Sequence, residues 1–274
     1  MTRCELCFHR CALEEGQRGI CRARSCNEGR IVCDNYGLIT SAALDPIEKK
    51  PLRRFWPGKY ILSLGSYGCN LRCPFCQNSD ISMSGGEDMR LFRATPEQIA
   101  RKAWELTPEG NIGVAYTYNE PTVGYEFVSD CARAVRELGL KNVLVTNGSL
   151  LRGPLEKLLP YIDAMNVDLK GFTPEYYRWL GGDLETVKEF IRVSVDAGCH
   201  VEVTTLIVPG KNDGGDEIEA LSSWLAELSP EIPLHLSRYF PRYRFHEAAT
   251  PVETVYRLAA AARRRLRHVY EGNC

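Results

Sequence analysis

The sequence predicts an α/β fold: a partial (βα)6 barrel of the TIM type with a small cysteine-rich N-terminal metal-binding segment. Three observations lead there. Short apolar runs recur six times after residue 59 and are separated by helical stretches, the alternation that builds a parallel sheet with right-handed crossovers. Chemistry-bearing residues fall just after the ends of those runs, which a barrel gathers on one rim and an open doubly wound sheet does not. Of 12 cysteines, nine lie in the first 76 residues, and a long cysteine-poor region follows. Residues 1–58 are expected to form the cysteine-rich segment and linker, and residues 59–274 the barrel.

Bulk properties narrow the partners. At 274 residues the chain has room for one large domain plus an appendage. A formal net charge of −1 gives no electrostatic case for nucleic acid or an anionic membrane. No apolar run approaches a membrane span, and the N-terminus lacks a signal-peptide core, so a cytoplasmic location is expected. In a reducing compartment, clustered cysteines read as metal ligands rather than disulfides.

Taken in order, residues 1–34 carry Cys4, Cys7, Cys11 and Cys21 with poor hydrophobic periodicity. A metal would supply folding free energy that so short a segment lacks. The four thiols suit one tetrahedral zinc or one closed iron–sulfur cluster, and spacing does not choose between them. His9 could take the place of one sulfur but reads rather as a surface residue in a turn, and Cys26 and Cys33 read as small buried hydrophobes rather than spare ligands. Residues 35–59 hold Pro46, Pro51 and Pro57 and read as an extended linker with a solvated charged face, or as a strap over the cluster side of the barrel. Strands are expected at 60–65, 112–117, 143–146, 164–169, 201–208 and 234–237. Helices are expected at 96–106, capped by Thr95 with Pro96 at its first position, at 122–138 closed by Gly139, and at 154–159, 174–180, 184–197, 216–228 and 251–267. The first strand lacks a following G-x-G-x-x-G, which argues against a dinucleotide site. Cys131 and Cys199 read as core residues, and Arg263, Arg264, Arg265 and Arg267 as a solvated helix end.

The first strand delivers Cys69-Asn70-Leu71-Arg72-Cys73-Pro74-Phe75-Cys76. Three thiolates in eight residues can hold a [4Fe–4S] cube with one iron open, whereas an electron-transfer cluster is normally closed by four. A zinc site or redox thiols are the plainer alternatives, but zinc loops usually pair one such knuckle with a second. Later strand ends bring Asn119-Glu120, Thr146-Asn147, Asp168 with Lys170, and Val208-Pro209-Gly210. The opposite charges of Asp168 and Lys170 cost desolvation at a buried strand end unless paired or ligand-bound. Each of the other groups also has an ordinary reading: a helix start for Glu120, an Asn-Gly turn for Asn147, a buried strand end for Val208. His235, Arg238, Tyr239, Arg242, Tyr243 and Arg244 form a rim suited to an anionic or peptide partner, or a loop packed on the barrel mouth.

The chain resembles the radical S-adenosylmethionine (radical SAM) superfamily, in the pyruvate formate-lyase activating enzyme-like branch, and within it the AmmeMemoRadiSam-system enzymes. The resemblance rests on the N-terminal cysteines with Gly16-Gln17-Arg18-Gly19-Ile20-Cys21, on Asp45-Pro46-Ile47-Glu48-Lys49-Lys50-Pro51-Leu52, on the run from Gly68 through Cys76 to Gln77-Asn78, on residues 116–122, on Asp168-Leu169-Lys170 and on Val208-Pro209-Gly210. It implies a [4Fe–4S] cluster on Cys69, Cys73 and Cys76, cleavage of S-adenosylmethionine to a 5′-deoxyadenosyl radical, and an electron donor such as flavodoxin or ferredoxin. Phe75 and Val208 would then flank adenine, Thr146 and Asn147 would hold ribose or carboxylate, and Asp168 and Lys170 would bind ligand. Asn119-Glu120-Pro121 occupies the place of a Gly-Gly-Glu-Pro-like turn for the cofactor ammonium, with Tyr118-Asn119 replacing the glycines. Phe8 stands where proline is common. The expected substrate is a small molecule or a peptide or protein side chain. The alternatives are activation of a glycyl-radical enzyme at a partner's backbone glycine and, more weakly, non-catalytic electron transfer.

Overall fold

In the computed structural model, which describes residues 1–87 and 89–274, the expected strands join one eight-stranded sheet. They are β1 (Ser41–Pro46), β2 (Tyr60–Gly65), β3 (Asn111–Thr117), β4 (Lys141–Thr146), β5 (Ala164–Asp168), β6 (His200–Ile207), β7 (Leu234–Arg238) and β8 (Val269–Gly272). Neighbours in the sheet follow chain order throughout. Strands β2 to β8 run parallel, and β1 pairs antiparallel with β2. An order that never reverses has no switch-point crevice, so the strand C-termini converge on one rim of a partial barrel.

Helices α1 (Pro96–Glu105), α2 (Tyr125–Glu137), α3 (Arg152–Leu158), α4 (Pro174–Leu180), α5 (Leu184–Asp196), α6 (Gly215–Leu228) and α7 (Val252–Ala262) alternate with the strands. Thr95 caps α1 as expected: its hydroxyl accepts from Gln98 N–H, and the Gln98 side chain accepts from Thr95 N–H. Alternation along each strand sorts the two faces. Leu62, Leu64, Val114, Leu144, Met165 and Val203 enter the main core with the helices. Ile61, Ala115, Val143 and Ala164 instead pack with Ile47 and Leu52 in a separate cluster on the opposite, inner face.

That second cluster corrects the reading of residues 35–59. The segment is neither a free linker nor a strap over the cluster side. Its first part is the edge strand β1, and Ile47 and Leu52 are fully buried as a plug in the barrel floor. Burying each such side chain contributes about 1.5–3 kcal/mol. The plug is pinned by polar groups as well. The Pro51 carbonyl accepts from Asn166, and Glu202 accepts from the backbone N–H of Arg53 and Arg54. The expected terminal helix at 251–267 ends at Ala262, and the chain turns into β8.

Residues 1–34 fold as two short antiparallel pairs, Thr2–Arg3 with Ala12–Leu13 and Arg24–Asn27 with Arg30–Cys33. They dock on the barrel through Leu151 N–H to the Leu6 carbonyl (2.9 Å) and a bridge between Cys7 and Leu150. Cys26 and Cys131 are buried, as expected, and Cys199 packs against the core. Among the described residues no helix is long and apolar enough to cross a membrane.

Candidate functional site

A cavity of about 950 Å³ opens at the rim where the parallel strands end. Cys69, Cys73 and Cys76 line it, together with Phe75, Asn119, Glu120, Thr146, Asn147, Asp168 and Lys170. Ten residues spread over a hundred positions thus meet because each follows, or ends, a neighbouring parallel strand. Val208 does not line the cavity. It packs behind the cysteine loop with Leu71, Cys73, Phe75, Tyr176, Leu180 and Tyr239, so its place is in the wall's backing.

The loop is held on three sides. Arg72 N–H donates to the Leu180 carbonyl at the end of α4 (2.9 Å), and Arg244 N–H donates to the Pro74 carbonyl (2.8 Å). Phe75 sits in an aromatic group with Trp179, Tyr239 and Phe245, at centroid separations of 5.8–6.4 Å. Gly68 precedes Cys69 with φ +88°, and a Cβ there would stand 2.6 Å from the Cys21 carbonyl, so only glycine lets the N-terminal module approach so closely.

Burial pushes the Cys73 thiol up to about 12 and the Cys69 thiol well above its ordinary value. Bare thiols would stay protonated here at neutral pH, and a cationic metal group is what turns such thiols into thiolates. The Cys69 sulfur already faces donors, Leu71 N–H (3.4 Å) and Asn147 Nδ2 (3.7 Å). Lys170 Nζ pairs with Asp168 at 2.7 Å beside the loop. Burial opposes its charge, but Asp168 and the thiols of Cys73 and Cys76 outweigh it and raise its pKa. Among the described residues no three His, Cys, Asp or Glu side chains converge closely enough to share a single metal ion. A cube instead takes each thiolate on a different iron, so three cysteines around one cavity fit it.

The polar strand ends prove to be tied mainly to protein. Glu120, expected to face a ligand ammonium, accepts from Thr122 N–H (3.0 Å), Thr122 Oγ1 (2.6 Å), Thr146 Oγ1 (2.7 Å) and Asn147 N–H (2.7 Å). Burial without a cation raises its pKa despite those bonds. Asn119 accepts from Ser66 N–H and donates to the carbonyls of Tyr67, Gly68 and Glu120, which locks the strand end that carries the loop. Tyr118 adopts φ +70°, the left-handed conformation a glycine would supply at no cost, and its hydroxyl donates to Asp45 (2.5 Å). Aromatic residues rarely hold that conformation, so the Asp45 bond explains how the chain keeps the turn without glycine.

Three further residues escaped the sequence reading. Lys50 is buried in the cavity wall, 2.8 Å from Asp45 and 4.6 Å from the Tyr118 ring centre. Burial lowers its pKa against the pull of Asp45. Trp179 backs Phe75, and Arg24 enters the N-terminal module, as described below. Two histidines lie deeper than expected. His9 sits in a turn, as expected, but is half-buried and lines a cavity among the N-terminal cysteines. His235, expected on the rim, also lines the cavity but lies deep in it, buried and bonded to Glu202 at 2.6 Å. Arg238, Tyr239 and Arg242 do line the cavity.

A partial barrel whose strand ends gather three thiols around a substrate-sized pocket has the donor set that a metal cluster with an open iron needs. The model of the radical SAM superfamily matches residues 64–225, and the chain belongs to that superfamily. Its cofactors are a [4Fe–4S] cluster and S-adenosylmethionine. An uncharacterized protein of Methanocaldococcus jannaschii is 40% identical over 99% of this chain and 81% of its own length. The pyruvate formate-lyase-activating enzyme of Clostridium pasteurianum is 25% identical over 63% of this chain and 75% of its own length. Among solved structures, Streptococcus suis SuiB bound to S-adenosylmethionine superposes with a TM-score of 0.61 at 17% identity, over 78% of this chain and 52% of SuiB.

Proposed function

We propose that Cys69, Cys73 and Cys76 ligate the cluster, and that the enzyme abstracts hydrogen from an acidic substrate, a small molecule or a peptide or protein side chain. The observation that carries this reading is the single cavity that holds the three thiols at one end and Arg53, Arg238 and Arg242 elsewhere on its wall. Among the described residues none of these three arginines pairs with a carboxylate, whereas Lys50 and Lys170 do. Uncompensated guanidinium groups favour carboxylate or phosphate on the substrate.

When bound, the cluster supplies the electron that cleaves S-adenosylmethionine to methionine and the 5′-deoxyadenosyl radical. The protein's part is orientation and exclusion of water. Asn119 and Glu120 set the backbone of the Tyr118 turn and the Thr146-Asn147 turn, leaving carbonyls for an ammonium. Asp168 and Lys170 offer a charge pair that a zwitterionic amino acid end can join. Phe75 presents an aromatic surface held in place by Trp179, and Asn147 donates toward the Cys69 sulfur. A cytoplasmic protein of the flavodoxin or ferredoxin class is the expected reductant.

The second reading, activation of a glycyl-radical enzyme, is favoured by the activating-enzyme relatives. One assay separates the two. Reduced, cluster-loaded enzyme is incubated with S-adenosylmethionine and deuterated peptides with acidic or neutral side chains. Deuterium entering 5′-deoxyadenosine from acidic peptides only, and less of it with Arg238→Glu, is the expected result. A glycyl-radical signal on a partner protein, with no transfer from any peptide, decides for the activase.

A further inference from the structure

The N-terminal cysteines form a second built site. Cys4, Cys7, Cys11 and Cys21 all line one small enclosed cavity, with His9, Gly19, Arg24 and Asn70 completing its wall. Cys26 and Cys33 stay outside it. The backbone presents the four thiols: Cys4 N–H donates to the Cys11 carbonyl (2.9 Å), and Arg22 N–H donates to Gly19 across the turn that carries Cys21 (2.9 Å). Gly19 leaves the space between sulfurs open. A Cβ there would lie 3.7 Å from the Cys11 sulfur and 3.8 Å from the Cys21 sulfur.

Arg24 supplies an independent sign that an anionic group belongs there. It is 6% exposed, and Glu126 and the Val123 carbonyl satisfy both terminal nitrogens, yet its buried Nε has no partner among the described residues. Arg24 lines the thiol cavity, and a guanidinium this dry with an unpartnered N–H matches the net negative charge of a metal group bound by four thiolates.

Zinc and an iron–sulfur cube differ in how far apart they hold their ligands. With Zn–S bonds of about 2.3 Å, a tetrahedral zinc draws its sulfurs to about 3.8 Å from one another. Four thiols around one cavity suit either group, and contact with the Cys69 loop is what favours the redox-active one. That preference rests on the reading of the Cys69 loop given above.

The Cys21 carbonyl abuts Gly68, and His9 Nε2 donates to the Asn70 carbonyl (2.8 Å), so the module touches the residues on both sides of Cys69. Asn70 also lines the N-terminal cavity, and its side chain accepts from Asn147 Nδ2 (2.8 Å). Cys7 and Cys11 are only half-buried, which brings the site near the surface.

We infer that Cys4, Cys7, Cys11 and Cys21 hold a second, closed [4Fe–4S] cluster, seated against the Cys69 loop, that passes single electrons into it. In each transfer a protein donor of the flavodoxin or ferredoxin class loses one electron, the N-terminal cluster takes it up and gives it on, and the first cluster is reduced. No bond is made or broken at the N-terminal site.

Metal analysis with Mössbauer and electron paramagnetic resonance spectroscopy of anaerobically purified native protein tests the site without reference to turnover. The expected result is about eight iron and eight sulfide per chain, no stoichiometric zinc, and two reduced-cluster signals of which S-adenosylmethionine perturbs one. Cys7→Ser/Cys11→Ser should fall to about four iron and keep the perturbed signal, and Cys73→Ser/Cys76→Ser should fall to about four and keep the other. About four iron with one zinc in the native protein, or about four iron that the Cys7→Ser/Cys11→Ser change leaves untouched, overturns the inference. Iron unchanged in Cys73→Ser/Cys76→Ser overturns the reading of the Cys69 loop instead. For the relay, reduction of the first cluster by flavodoxin should slow more than tenfold in Cys7→Ser/Cys11→Ser while dithionite reduces it as before. An unchanged flavodoxin rate refutes the relay.

Discussion

Replacing Glu202 by alanine should open the barrel floor. Its carboxylate is fully buried and accepts from the N–H of Arg53 (3.0 Å) and Arg54 (2.8 Å) and from Nε2 of His200 (3.0 Å) and His235 (2.6 Å). Two of those donors belong to the plug segment, one to Glu202's own strand β6 and one to the neighbouring β7, so one side chain ties floor to wall. Removing one partner from such a buried set costs about 3–5 kcal/mol. For a chain of this size that lowers the melting temperature by roughly 6–15 °C. The charge has its own signature. Burial opposes ionisation of Glu202, but the two imidazoles and the two backbone amides outweigh it and pull its pKa from 4.5 down to about 2. Because the folded value lies below the unfolded one, the stabilisation is complete above about pH 4.5 and is lost as pH falls toward about 2, a span worth about 3 kcal/mol. Thermal melts of cluster-loaded protein, followed anaerobically by circular dichroism, read both effects. Wild type should exceed Glu202→Gln at neutral pH, and the gap should close across that acid window. A melting temperature for Glu202→Ala within about 2 °C of wild type, or a gap that does not change with pH, would refute the clamp.

Three other outcomes follow from the site. Gly68→Ala forces a Cβ onto the Cys21 carbonyl at a positive φ and should destabilise the protein by roughly 2–4 kcal/mol, read by chemical denaturation; a change under about 0.5 kcal/mol would show that the two modules do not touch there. Asn147→Ala removes a donor facing the Cys69 sulfur, so spectroelectrochemistry should find a more negative cluster potential and cleavage of S-adenosylmethionine should fall about tenfold; an unmoved potential would count against that contact. Tyr118→Phe keeps the ring but frees Asp45, which should weaken the turn by about 1 kcal/mol in the same denaturation assay, whereas equal stability would mean that the hydroxyl does not hold the left-handed backbone.

The parts of the fold that were legible in the sequence are those whose signal is local. Six parallel strands showed themselves because each is an apolar run ended by polar or glycine residues, and Pro174–Leu180 matched residue for residue because proline starts it and Gly181 ends it. Strand β1 was hidden because Ser41, Ala42 and Ala43 face solvent and carry no apolar alternation. The floor plug was hidden because Ile47 and Leu52 sit among Glu48, Lys49, Lys50, Arg53 and Arg54, which read as a solvated run. Its anchor, Glu202, lies about 150 residues away, a distance no periodicity bridges. At the site, the cysteine triplet and the strand-end polar residues were visible as types in the right order. What Glu120 and Asn119 bond to was not, because both spend their polar atoms on partners brought in by other strands. No local signal marks Arg24, whose place is set by Glu126 and the cysteine cavity, both brought in by other parts of the chain.

A Cys69 loop that carries chemistry, rather than a structural or electron-storing metal, must cleave S-adenosylmethionine. Anaerobic protein loaded with cluster is reduced and mixed with S-adenosylmethionine, and 5′-deoxyadenosine is quantified by chromatography with mass detection. Wild type should form it together with equimolar methionine, and Cys73→Ala should form none while the N-terminal module keeps its iron. A fully loaded, fully reduced wild-type cluster that leaves S-adenosylmethionine intact would contradict the account at its root.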